Sequence, residues 1–208
     1  MDAAMLEIEM KFRIEDSNAY EKLLKSTLGV TLGPATTESD VFFTNEALGF
    51  PNQGKALRIR RRGNYLAATF KGPRLDSETK TREEIELTLV DERKEQTEEN
   101  ALRVEKARKE WIRFYERLGF LPYGEVNKSR RRGRVEFMGR QLEITLDTID
   151  GLGSFTELEA TAEKEEYEEA RGVVIVLAKK LGLTVSITRS YLSLIYSQDR
   201  YINEHDSK

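Results

Sequence analysis

The stretch LEIEMKF, residues 6–12, decides the fold. Leu6, Ile8, Met10 and Phe12 alternate with Glu7, Glu9 and Lys11. In a strand, successive side chains point to opposite faces, so one face is apolar and the other carries three charges. The same alternation recurs along the chain. LRIRR places Arg58, Arg60 and Arg62 opposite Leu57 and Ile59. YLAATFK places Tyr65, Ala67, Thr69 and Lys71 opposite Leu66, Ala68 and Phe70. REEIELTL places Arg82, Glu84, Glu86 and Thr88 opposite Ile85, Leu87 and Leu89. VNKSRRR contributes Lys128, Arg130 and Arg132; LEITLD contributes Glu143, Thr145 and Asp147; FTELEA contributes Phe155, Glu157 and Glu159.

One such strand is an ordinary half-exposed strand with its polar side in water. A set of them, with acids and bases gathered in clusters of one sign, is different. Like charges at i and i+2 repel, and folding alone has no use for them. The pattern fits a barrel whose apolar strand faces point outward, beneath helices, while the charged faces line a wet channel.

The remaining segments supply those helices. DSNAYEKLLKSTLG begins with a capping Asp16 or Ser17 and stops at Gly29. Residues 91–119 are rich in helix formers, with Ala101, Val104, Ala107, Trp111, Phe114, Tyr115 and Leu118 at three- and four-residue steps. They read as one helix or two, ending at Gly119 and Pro122, with a solvated charged face; a lid or homodimer contact is the sharper alternative. Residues 163–182 form an amphipathic helix, and 188–198 a short terminal one. Strands fall at 5–13, 39–45, 55–63, 64–72, 81–90, 123–139, 140–150 and 153–162, mostly joined as hairpins, with Gly63 and Asn64 in one turn. About eight strands, mostly in hairpins, with helices at a few joints, read as α+β: a closed antiparallel β-barrel or a strongly curved sheet with helices packed on the outside, and no linker-like stretch divides residues 1–208.

Composition narrows the chemistry. The chain holds 34 basic and 37 acidic residues in 208, a net charge of -3. That balance argues against nucleic-acid and membrane partners, which need a basic excess. The arginine-rich stretches RIRRRG and KSRRRGR also lack the interleaved aromatics of a single-strand binder. There is no cysteine, which excludes disulfides, thiolate metal sites and cysteine nucleophiles. The start MDAAMLEIEM lacks a signal-peptide pattern and no apolar run reaches bilayer length, so a cytoplasmic protein is expected. The single histidine, His205, sits in a polar tail at 199–208, so a histidine triad is not expected.

A channel with both signs of charge has a definite ligand. Arginine and lysine clusters suit phosphate oxygens. Carboxylate clusters repel phosphate unless a divalent cation lies between them. Glu7 and Glu9 beside Glu157 and Glu159 would hold Mg²⁺ or Mn²⁺, a hard cation with oxygen ligands. The ligand expected from charge alone is a metal-bound polyphosphate.

At this point the residues resemble a known family. EIEMK (7–11) is similar to the ExExK motif of the CYTH superfamily, the triphosphate tunnel metalloenzymes. LRIR, TFKGP, REEIE, VNKSRRR, LDTIDGLGSFTELE and TRSYLSLI follow in the family's order and span nearly the whole chain. TREEIE and RSYLSLI look most like the class IV adenylyl cyclase branch. The resemblance implies an eight-stranded closed antiparallel β-barrel with helices packed on the outside, as a single domain over 1–208, and a metal site at Glu7, Glu9, Glu157 and Glu159 with Asp147 alongside. It implies a triphosphate grip by Lys11, Arg58, Arg60, Lys71, Lys128 and Arg130. Arg82 and Glu86 match tunnel positions and are carried as catalytic candidates with Lys11 and Lys71. The lead expectation is a cyclase converting ATP to cyclic AMP and pyrophosphate with Mg²⁺ or Mn²⁺. The rivals are a triphosphatase acting on thiamine triphosphate, inorganic triphosphate or a nucleotide, with Lys71 or Lys11 positioning water, and a polyphosphate-binding module without turnover.

Overall fold

The computed structural model describes residues 5–51, 53–75, 79–95 and 97–197. Eight strands make one sheet that closes on itself: β1 (Met5–Ile14), β2 (Thr36–Thr44), β3 (Ala56–Arg62), β4 (Tyr65–Lys71), β5 (Arg82–Asp91), β6 (Leu121–Phe137), β7 (Arg140–Ile149) and β8 (Gly153–Glu163). Around the barrel the order is β1-β5-β4-β3-β2-β6-β7-β8, and every neighbouring pair is antiparallel. The tail with His205 lies outside the described residues.

Three helices lie outside: α1 (Ser17–Leu28), α2 (Glu98–Arg117) and α3 (Tyr167–Lys180); a further helical segment spans 191–197. The Asp16 carboxylate caps α1 by accepting from the amides of Asn18 and Ala19 at 2.9 and 3.0 Å, and Gly29 ends it at φ 69°. The 91–119 region is shorter as a helix than its composition suggests. Asp91 still belongs to β5, and α2 starts only where Thr97 accepts from the Asn100 amide at 3.2 Å. Pro122 does not mark a helix end; it is the second residue of β6, opposite Phe43, and the register shifts beside it because Tyr123 is an extra residue in β6 between the partners of Phe42 and Phe43.

The alternation of LEIEMKF is realised as a two-sided wall. Ile8, Met10, Ile144 and Leu158 point outward and are buried against Leu24 of α1 and Val173, Val174 and Leu177 of α3. Val41, Ile59 and Leu66 form a second outer core with Val104 of α2. Burial of such side chains contributes about 1.5–3 kcal/mol each, so the helices are needed to make the charged interior tolerable. The cover is incomplete on β5, where Ile85 and Leu87 keep 48% and 60% of their surface exposed.

One seam shapes the site. β1 and β5 pair only at Leu6 with Glu83 and Glu7 with Arg82. Beyond that point the edge of β1 is taken by other chain. The Lys80 amide donates to the Glu9 carbonyl at 2.9 Å and the Ile187 amide to the Lys11 carbonyl at 2.7 Å. These two insertions bring Lys80 and the C-terminal segment to the tunnel. No helix among the described residues is long and apolar enough to cross a membrane.

Candidate functional site: a charged tunnel through the barrel

The barrel encloses a cavity of roughly 740 Å³ lined by the charged strand faces. Cross-strand register stacks those faces in levels. Glu9 of β1 stands opposite Glu159 of β8, and Lys11 opposite Glu157. The carboxylates of Glu7, Glu9 and Glu159 converge, each offering an oxygen within 4.8 Å of the others. Burial pushes Glu7 and Glu159 above the usual carboxylate range; Lys71 only partly offsets this for Glu7 and Arg130 only partly for Glu159. Oxygen donors in this arrangement suit a hard divalent cation, whose charge would relieve their repulsion.

Cations from β1, β3, β4, β5 and β6 line the rest of the cavity, interleaved with acids. Arg58, Arg60, Lys71, Arg82, Lys128, Arg130 and Arg132 all line the cavity, as does Lys11. Many are held by acids beneath them. Arg60 makes a paired contact with Asp40, 2.6 Å for each nitrogen, and reaches Glu38 at 3.4 Å. Arg130 makes the same paired contact with Asp147 at 2.6 and 2.5 Å and also donates to Glu157. Lys128 lies 3.3 Å from Glu38, which also accepts from Arg132. Burial opposes ionisation of Glu38 and Asp40, but Arg60 and its neighbouring cations outweigh it and hold both well below the usual range. Burial likewise opposes ionisation of Glu157, and Arg130 with Lys11 overcomes it.

The structure therefore sorts the expected metal residues into two groups. Glu7, Glu9 and Glu159 form the cluster. Glu157 stands one level away, 3.1 Å from Lys11 and bound to Arg130. Asp147 is fully buried under Arg130. Both acids are paired with buried cations. The expected grip residues Lys11, Arg58, Arg60, Lys71, Lys128 and Arg130 all face the cavity. Lys71 bridges Glu7, at 2.5 Å, and Glu84. Arg82 lines the cavity too, and its Nε has no hydrogen-bond partner among the described residues. Glu86 accepts from Tyr65 at 3.2 Å and Thr69 at 3.3 Å.

Several residues at the site were not assigned from sequence. Glu38 was missed because β2 begins at Thr36, three residues before the expected start at Ser39; Asp40 lay within the expected strand, but no charged face was read for it. Extending the alternation back from Phe42 would have found both. Glu84 was on the charged face but had no role; burial opposes its ionisation, while its contacts with Glu7, Lys71 and Arg58 bring its pKa to about 2. Lys80 gave no periodic signal, since it lies in the loop before β5. It donates to the Glu9 carboxylate, and burial lowers its pKa to about 8 despite that partner.

A family model described as CYTH domain matches residues 5–191. The chain belongs to the CYTH domain family. This CYTH chain is 30% identical over 193 residues to a "putative adenylate cyclase" of Methanocaldococcus jannaschii, covering 91% of this chain and 98% of that one. A solved Pyrococcus horikoshii structure is 28% identical, covers 92% of this chain and 99% of its own, and superposes with a TM-score of 0.72. A Hippeastrum "putative adenylyl cyclase", described as having a dominant triphosphatase activity, shares the fold at 18% identity and a TM-score of 0.58, over 93% of this chain and 96% of that one.

Proposed function

We propose that this CYTH chain is a divalent-metal-dependent enzyme that turns over a triphosphate held in its tunnel, with cyclisation of ATP as the leading reaction. The single observation that carries the reading is the convergence of Glu7, Glu9 and Glu159 against a wall of buried cations. A site for an anion alone has no use for three converging carboxylates. Glu7, Glu9 and Glu159 would hold Mg²⁺ or Mn²⁺. When bound, that cation supplies charge neutralisation at a phosphate oxygen and acidification of a coordinated hydroxyl.

The chain's own residues do the rest. Arg58, Arg60, Lys128 and Arg130 bind the phosphate oxygens, prealigned by Asp40, Glu38 and Asp147. In cyclisation the ribose 3′-hydroxyl releases its proton to solvent, the bond from its oxygen to the α-phosphorus forms, the bond from that phosphorus to the bridging oxygen breaks, and pyrophosphate leaves. Lys11 and the arginines stabilise the charge that grows on the leaving group. The similarity of TREEIE and RSYLSLI to the class IV branch, and the name of the M. jannaschii relative, support ATP as substrate.

Hydrolysis of a triphosphate is the second reading, supported by the activity described for the Hippeastrum relative. There water attacks the terminal phosphorus, and Lys71 or Lys11 positions it. Incubation with ATP, inorganic triphosphate and thiamine triphosphate under Mg²⁺ and Mn²⁺ separates the readings. Cyclic AMP with pyrophosphate is expected; ADP with phosphate rejects the cyclase. Failure to consume any triphosphate under either cation rejects an enzyme and leaves a binding module.

A further inference from the structure

The C-terminal segment lines part of the tunnel through Ser190, Tyr191 and Leu192 and is tied to β1 around a single residue. Besides the Ile187 amide on its carbonyl, Lys11 donates from Nζ to the Arg189 carbonyl at 3.4 Å, and its ammonium lies 3.7 Å from the centre of the Tyr191 ring. The Lys128 ammonium lies 5.4 Å from the same ring centre. Phe155, in phase with Glu157 on β8, meets the ring edge-on at 5.2 Å and fixes its orientation. Leu192 packs beside it on Val126, Ile149 and Leu152. Gly124 makes this docking possible: a Cβ there would stand 2.6 Å from Leu192 and 2.5 Å from the Tyr196 hydroxyl.

Tyr191 is 7% exposed and lines the cavity, yet its hydroxyl has no hydrogen-bond partner among the described residues. Tyr191 lines the cavity together with Glu9, Arg130 and Glu157, so the tunnel is where a partner for this hydroxyl would lie. A buried hydroxyl without a partner is costly and needs a reason. The ring meanwhile draws two ammoniums, Lys11 and Lys128, to one place through its electron-rich π system.

We propose that Tyr191 is a triphosphate-binding residue: its hydroxyl donates to a phosphate oxygen of the bound ligand, while its ring positions Lys11 and Lys128 around that same oxygen. The inference rests on the triphosphate reading above and adds a donor from outside the barrel strands. It makes the 191–197 segment part of the site. The bound ligand gives the hydroxyl a partner that no described residue supplies in the free chain.

That asymmetry gives the test. Inorganic triphosphate binding is measured by calorimetry on the full chain, alongside thermal unfolding without ligand, for wild type, Tyr191→Phe and Tyr191→Leu. Tyr191→Phe keeps the ring and is expected to bind ~10-fold more weakly, since hydrogen bonds to charged groups have about this effect. Its ligand-free Tm should equal or exceed that of wild type. Tyr191→Leu should bind more weakly still, because both ammoniums lose the ring. Unchanged affinity in Tyr191→Phe overturns the hydroxyl's role and leaves the triphosphate reading standing. A lowered ligand-free Tm that tracks the lost affinity means a packing role and also overturns the proposal. Equal losses in the two variants overturn the ring's part. Wild type that does not bind inorganic triphosphate removes both this inference and the reading beneath it.

Discussion

Lys80 and Glu9 are joined twice: the Lys80 amide donates to the Glu9 carbonyl at 2.9 Å, and the Lys80 ammonium donates to the Glu9 carboxylate. The backbone contact fixes the loop against the open edge of β1; the side-chain contact occupies one oxygen of the acidic cluster. Any cation bound by Glu9 competes with that ammonium. Lys80→Met should therefore tighten Mn²⁺ binding in the absence of triphosphate, by about 10-fold, equivalent to ~1.4 kcal/mol. Two unit charges ~4 Å apart interact by ~4 kcal/mol at an effective dielectric near 20, so the expected change is well within reach. Calorimetric titration with Mn²⁺ measures it, and weaker binding in the variant would show that Lys80 supports the cluster.

Glu159→Gln separates the site from the fold. Its carboxyl is held above the usual range by burial and by Glu157, Glu7 and Glu9, with only Arg130 opposing. Replacing it by an uncharged amide of the same shape removes repulsion among the three acids. The ligand-free Tm should not fall, and a gain of ~1 kcal/mol would raise it by about 2–4 °C for a chain of this size. The rise in Tm on adding Mg²⁺ or Mn²⁺ should vanish, together with turnover. Thermal scans with and without the cation, paired with a product assay, check both halves; retained turnover would remove Glu159 from the metal site.

Much of this was legible because a strand's period is two. Once LEIEMKF is read as a strand, Glu7, Glu9 and Lys11 must share a face, and the same rule placed Arg58, Arg60, Lys128, Arg130, Glu157 and Glu159 in one hollow. Barrel closure then does the rest, since a closed sheet has one inside. The levels within the tunnel were not legible. Register decides that Glu9 meets Glu159 while Lys11 meets Glu157, and register depends on turns and bulges. Hence Asp147 and Glu157, grouped by sequence with the metal carboxylates, sit under Arg130. Lys80 reaches the site through a loop and has no periodicity to read. Tyr191 sat within RSYLSLI, but only the packing shows its ring against Lys11.

Arg60, proposed above as a grip residue, is also a structural counter-ion. Removing it leaves Asp40, at 2% exposure, and Glu38, at 0%, without their main partner. Arg60→Ala should cost about 3–5 kcal/mol of stability, the usual penalty for breaking a buried pair from one side. Weakened triphosphate binding in that variant alone would thus be ambiguous. Adding Asp40→Asn to Arg60→Ala should recover a large part of the stability while triphosphate affinity stays low. Denaturant unfolding with calorimetry distinguishes the two. Recovery of affinity along with stability would assign Arg60 to folding and remove it from the grip.

Glu38 sets the acid limit of the fold. Its ordinary value is 4.5, and in the folded chain Arg60, Lys128, Arg130 and Arg132 hold it far below that, against the effect of burial. A depressed carboxyl adds stability that is fully present above its unfolded value and is lost as pH falls toward its folded one. Between those limits the unfolded chain binds the extra proton, so stability must rise with pH there. Asp40, held below its ordinary 3.8 by Arg60 and Arg58, acts with the same sign. Tm in the absence of metal should therefore fall steadily as the buffer is taken below about pH 4.5. Glu38→Gln should be less stable at neutral pH, because Arg60, Lys128 and Arg132 lose a shared partner, and its Tm should fall less steeply across the acid range. Calorimetric scans from about pH 2.5 to about pH 7 on both proteins measure the two slopes. Equal slopes would mean that Glu38 takes up its proton in the folded chain as readily as in the unfolded one, and the ion cluster around it would then not be what holds that side of the barrel together.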